Sequence, residues 1–220
     1  MITASNYSPC LCAGAVVLVA NKLSAADRQD GLDSLLYSQT VASRKFHDFA
    51  EFDPWINAGR SAMKTLGGML LSEPGNSYPV SDRGSFTLAD LAQETLGKLV
   101  SLDAQQSLKT SLNALSRRPF DHPESALLHA FTVQDQKRVR FKFGVISPGV
   151  SITFAALSFE YDDHFVGSVL SHRFRHETVL GNLSIAGFKA VVEPEDYEYS
   201  RETIRSLLGA SRVEQVIKLT

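Results

Sequence analysis

The chain is short of the residues that would announce a chemistry. It holds two cysteines, Cys10 and Cys12, too few for the disulfide framework of a small secreted domain. They lack the two-residue interval of a redox CxxC pair and have no His or Cys neighbours to complete a zinc site, so they read as small core or surface thiols. Neither sign of charge is in excess. Lys and Arg number 22 against 24 Asp and Glu, a balance that argues against the broad positive field of a dedicated nucleic-acid binder. A local basic stripe remains open, but no specific nucleic-acid partner is expected. Long apolar runs are missing as well. Residues 10–20 form the longest near the start, eleven residues, whereas a membrane-crossing helix needs about 20. No Lys or Arg precedes this run, so a secretory signal is not expected. A cytoplasmic location is, and the sequons at Asn6 and Asn182 are then chance matches.

The familiar motifs are absent too. The sequence has no GxxxxGK[ST] loop, no GxGxxG, no GxSxG elbow, no HExxH and no DxDxDG calcium loop, which removes the easily read NTPases, dinucleotide enzymes, α/β-hydrolases and zincins. No cofactor is expected. Enzymes whose groups converge only in three dimensions remain, because such sites are recognised by geometry.

What is present is ordinary for a globular protein: 44% hydrophobic and 21% charged residues, with 14 Gly and 8 Pro. A chain of this length buries roughly 70% of its unfolded surface and needs no staple. One domain over residues 1–220 is expected, with a helical part at 1–118 and an antiparallel sheet with a C-terminal helix at 119–220. Ala13–Ala20 reads as a buried strand or the first turns of a helix. Leu32, Leu35, Leu36, Ala42 and Phe46 recur at helical steps behind a Ser24/Asp27 cap, predicting a helix from Ala25 to Lys45. Asp53 as cap and Pro54 in the first turn open another, which Gly67 and Gly68 end near Thr65. Residues 72–86, dense in Ser, Pro, Gly and Asn, read as a long loop. Thr87 with Asp90 caps a third helix, and a fourth spans about Asp103 to Leu115.

The period then changes from about 3.6 to 2. Leu127, His129, Phe131 and Val133 suggest a strand. Val139, Phe141, Phe143 and Val145 alternate with Arg138, Arg140, Lys142 and Gly144, the pattern of a half-solvated antiparallel strand. A turn at Pro148-Gly149 would set Val145 opposite Ile152, Phe143 opposite Phe154 and Arg140 opposite Leu157. Later strands are expected within residues 164–178 and at Leu183–Val192. Pro194 begins a helix closed by Gly209, and residues 213–219 form a short terminal strand. The fold class is therefore α+β, a mainly helical N-terminal half packed on an antiparallel β-meander with a late helix and a short last strand.

Two constellations invite a function. Asp162, Asp163, His164, His172, His176 and Glu177 hold the densest potential ligands. Neither a helix nor a strand supplies a fixed third ligand, and Arg173 and Arg175 oppose a divalent cation, so no metal is expected. The second is the row Arg138, Arg140 and Lys142, joined by Arg173 and Arg175 and flanked by Phe159, on an outward sheet face. It could dock an acidic partner, an anionic ligand or a membrane surface, or else be a solvated face whose stems cover apolar surface. Leu157, Phe159 and Tyr161 on that face need a cover, from the helices or from another subunit. The acidic residues 193–198 complement a helix N-terminus, and Trp55 reads as core. The leading expectation is a non-enzymatic binding protein that uses the basic sheet face or an edge strand toward a macromolecule or its own copy. A hydrolase-type site around 162–177 and an anionic-membrane binder are the alternatives.

Overall fold

The computed structural model describes residues 5–73, 75–79, 84–97, 99–162 and 167–219. The apolar run near the start supplies not a helix but a hairpin, β1 (Tyr7–Cys12) and β2 (Ala15–Ala20). Every residue of β2 is buried, as a continuous apolar run should be in a strand covered on both faces. The turn Ala13-Gly14 has φ of 48° and 72°, the two positive values of a type I′ turn. Gly14 is required twice over: a Cβ there would lie 2.2 Å from the Phe131 Cβ.

Capping residues set the helices as the sequence suggested. The Ser24 hydroxyl accepts from the Asp27 amide at the head of α1 (Ala25–Lys45). α2 (Phe52–Thr65) starts two residues earlier than expected, with Glu51 rather than Asp53 at its cap, and ends before Gly67 at φ 84°. The segment expected as a loop at 72–86 is in part strand: β3 (Gly68–Ser72) runs into it, and β4 (Gly75–Pro79) and β5 (Ser85–Phe86) lie within it. α3 (Leu88–Leu96) carries the full Thr87/Asp90 capping box, and α4 (Leu102–Ser116) follows. The expected strand at 127–133 is helical: α5 (Pro123–Thr132) opens on His122 and Pro123. Its buried residues Ser125, Leu128 and Thr132 follow the three- and four-residue steps that the Leu127/His129/Phe131 alternation hid.

After β6 (Val133–Gln134) come the long strands β7 (Arg138–Ser147), β8 (Ser151–Tyr161) and β10 (Val179–Val192). Between them the described part of the expected strand at 164–178 contributes only β9 (Phe174–Arg175) and a 3₁₀ turn at His176–Thr178. α6 (Pro194–Leu208), the single turn α7 (Ser211–Glu214) and β11 (Val216–Lys218) end the chain. The main sheet runs β11-β1-β2-β7-β8-β10-β3, with β4 also on β10 and β6 on β7. β2 and β7 are parallel; the other pairs are antiparallel. The fold is α+β, but its sheet draws on both halves of the chain rather than on the second alone.

The β7–β8 hairpin is shifted by one residue from the expected register. Ile146 faces Ile152, Arg140 faces Ser158 and Arg138 faces Glu160. Val150 joins Gly149 at positive φ, 47° and 74°, so the loop holds three residues instead of two. A slip of one turns every side chain of β8 to the other face relative to β7. Leu157, Phe159 and Tyr161 therefore sit with Phe141 and Phe143, beneath α3 and α4. Phe154 and Ala156 share the opposite face with Ile146, beneath α1, α2 and α6. Helices thus cover the sheet on both sides.

Candidate functional site

Burial on both faces overturns the expectation of an outward basic row. Arg140 and Lys142 are each 2% exposed, pointing from β7 toward the α1/α2 layer. The Arg140 guanidinium lies 4.2 Å from the Phe49 ring centre and 4.7 Å from that of Trp55, and donates to the Asp48 carbonyl at 2.7 Å. Aromatic faces and a carbonyl stand in for water around a charge whose stem is apolar. Burial still lowers its pKa to about 10, with Asp48 and Glu51 acting the other way. Arg138, at the strand's end, is half-buried and pairs with Asp48 at 3.1 Å.

The other members do not join this row. Phe159 lies on the opposite face of the sheet, 4% exposed, packed edge-on to Phe86 and Phe174. Its cover comes from the chain's own helical layer. Arg173 donates to the Ser85 hydroxyl and Arg175 approaches Glu177 at 4.0 Å, both beside the two-stranded β5–β9 ribbon. His172 packs on Phe174, and His176 faces Glu177 and the Gly84 carbonyl. Asp163 and His164 lie outside the described residues. Among the described residues no three His, Cys, Asp or Glu groups are placed to share a metal ion, and no helix is long and apolar enough to cross a membrane.

Among the described residues, two concavities of about 220 Å³ each bear on a site. One opens where β10 bulges away from β8 between Leu180 and Ser184. It brings together Arg138 and Phe159 of the expected set, with Glu160, Asn182 and Ser184. Its charges are already matched, since Arg138 lies against both Asp48 and Glu160.

The second is built differently. The C-terminal half of α1 supplies Gln39, Thr40, Ser43 and Arg44; the β1–β2 turn supplies Ala13, α5 supplies Phe131, and the α7 end supplies Ser211 and Gln215. Each segment is fixed. The Gln39 amide donates to the Cys12 carbonyl at 3.1 Å, tying α1 to the turn. The Ser43 hydroxyl accepts from the Trp55 indole at 3.0 Å, which leaves its own proton free to donate. Arg212 of α7 holds the buried Asp33 of α1 through Nε at 2.9 Å and Nη2 at 2.9 Å. Among the described residues the lining contains no Asp or Glu. Arg44 is exposed and, among the described residues, forms no ion pair. Lys142 stands behind the wall: its Nζ donates to the Ala13 carbonyl and lies 5.1 Å from the Phe131 ring centre. Burial foremost, then the Arg140 guanidinium, lowers its pKa to about 7, while Cys12 acts the other way.

Sequence reasoning named Lys142 but missed the rest of this hollow. Its parts come from four distant segments, and Arg44 in the last turn of α1 looks like a helix-dipole partner. The one local signal is Ala13-Gly14 between two apolar runs, which marks a tight hairpin.

No family model matches this sequence, and among curated proteins none matches. A solved structure described as that of the Evf virulence factor is similar over 97% of this chain and 85% of its own, at 9% identity and a TM-score of 0.40. A likeness at this level transfers neither fold nor role.

Proposed function

We propose that this is a non-enzymatic binding protein whose ligand is a small organic carboxylate held in the cleft between α1, the β1–β2 turn, α5 and α7. The observation that carries the reading is the charge balance of the hollow among the described residues: a guanidinium at its rim and an amine behind its wall, neither in an ion pair, and no carboxylate in its lining. In a chain of net charge −2 such a place is matched by an anion from outside. Arg44 suits the forked carboxylate, the Thr40 and Ser43 hydroxyls can donate beside it, and Phe131 and Ala13 offer apolar contact to the ligand's body. The volume lies below the roughly 300–1,000 Å³ of pockets for drug-sized ligands, which favours a ligand the size of benzoate.

Titration calorimetry with benzoate tests this. Benzoate should bind, the neutral isostere benzamide should bind at least about tenfold more weakly, and Arg44→Gln should remove about tenfold in affinity. Equal binding of benzamide, no binding of benzoate, or competition by inorganic phosphate as strong as benzoate itself would overturn the reading.

A second reading concerns partners. β3 ends the sheet, carries no charge, and leaves Met69 54% and Leu71 50% exposed, whereas the opposite edge, β11, is only three residues long and ends on Lys218. Pairing of β3 with a second copy is the form of self-association this favours. Sedimentation should then show a concentration-dependent dimer that Leu71→Lys abolishes; a strict monomer at high concentration rejects it.

A further inference from the structure

Lys142 differs from its neighbours on β7: Arg140 lies between two aromatic rings and Arg138 against two acids, and Lys142 has neither. Its charged and titratable surroundings are Arg140 on its own strand, Cys12 on β1, and Asp33 on α1, which acts on Cys12 and is itself held by Arg212 of α7. On α5, His129 turns to Phe120, 5.0 Å between ring centres, and leaves Phe131 as that helix's contact. Among the described residues Lys142 forms no ion pair. A buried ammonium with a single carbonyl acceptor is costly until an anion comes near it. The two residues that hold Nζ, Ala13 and Phe131, are themselves walls of the cleft, so the amine lies directly behind the wall against which a carboxylate would rest.

Resting on the anion-binding reading above, we propose that the cleft takes up its carboxylate together with a proton, which Lys142 accepts at Nζ. The proton comes from solvent, no covalent bond to the ligand forms, and the anion stabilises the ammonium through the low-dielectric wall. The site loads best near or below neutral pH and empties as pH rises. Since the free amine already titrates near pH 7, occupancy responds to modest changes of pH around neutrality, and the ligand leaves with its proton.

The experiment is benzoate calorimetry at pH 7.5 in Hepes and in Tris, whose ionisation heats differ, on the wild type and on Lys142→Met. The wild type should take up about 0.7 proton per benzoate, and its affinity should fall about tenfold or more from pH 7 to pH 9. Lys142→Met should keep Arg44-dependent binding, weakened, with no proton uptake and a flat profile. Benzoate binding without proton uptake, or unchanged uptake in Lys142→Met, overturns this proposal alone. Absence of benzoate binding overturns the anion site and this proposal with it. Should the Met variant fail to fold, the wild-type uptake and pH profile decide by themselves.

Discussion

Lys142→Met is the perturbation whose consequence for stability can be worked from the structure. An ammonium that titrates at 10.5 in the unfolded chain and at about 7 in the fold costs the folded state about 5 kcal/mol when both states are charged, at 1.36 kcal/mol per tenfold change. Between those two values the unfolded chain binds a proton that the folded chain does not, so stability rises with pH and levels off above 10.5. Below about 7 both states carry the proton and the whole penalty is present. At pH 8 the slope contributed by this one group is about 1 kcal/mol per pH unit. The cysteines pull the other way: burial raises Cys10 to about 12 against an ordinary 9.0, so thiol stabilisation is present below 9.0 and is lost as pH rises toward 12. The clean window is therefore pH 7 to 8.5. Urea midpoints in that window should climb for the wild type and stay nearly flat for Lys142→Met, which removes the proton while nearly keeping the side chain's length. The variant should be the more stable of the two near pH 7, after about 1–3 kcal/mol is deducted for the Ala13 carbonyl left without its donor. Parallel pH profiles for the two proteins would refute the burial of this amine behind the β1–β2 turn.

Two further substitutions test the close approach of β8 and β10 and the tie between α1 and α7 beside the cleft. A Cβ on Gly187 would stand 2.1 Å from the Phe154 carbonyl oxygen across the β8–β10 ladder, so Gly187→Ala should cost about 3 kcal/mol in denaturant unfolding; a loss under about 0.5 kcal/mol would mean the two strands are not so close. Asp33→Ala removes the fully buried acceptor of Gln29 and Arg212. Because the Arg212 side chain keeps 28% exposure and can rehydrate, the expected loss is about 2 kcal/mol, short of that for a sealed pair. Faster amide exchange across α7 should accompany it, and an unchanged exchange rate there would contradict the tie.

Much of the helical layer was legible because caps are local. Ser24 with Asp27, Thr87 with Asp90, Pro194 at an entrance and Gly209 at an exit each act within four residues, and each marks the helix it was expected to mark. α5 was not legible. Its alternating Leu127, His129 and Phe131 imitate a strand, while its true signal, His122 followed by Pro123, is a start motif that the alternation outweighed. The sheet was legible in kind but not in register. One αL residue, Val150, lengthens the turn and turns β8 over relative to β7, a difference no hydrophobic pattern reveals when both faces of the strand are apolar enough to be buried. For the same reason Arg138, Arg140 and Lys142 looked like an exposed row. Their alternation with Phe141 and Phe143 is real, but Phe49, Trp55 and Phe131, which take the place of water around two of the three cations, come from elsewhere in the chain. The cleft lay beyond sequence reasoning because its charge balance exists only after four segments meet.

The most direct measurement of the central claim is a backbone amide NMR titration with benzoate at pH 7. Saturable shifts should concentrate at Ala13, Gln39, Arg44, Phe131 and Ser211 and need about tenfold more benzoate to saturate in Arg44→Gln. Shifts centred instead on Glu160, Asn182 and Ser184 in the β8–β10 hollow, or none that saturate, would contradict it.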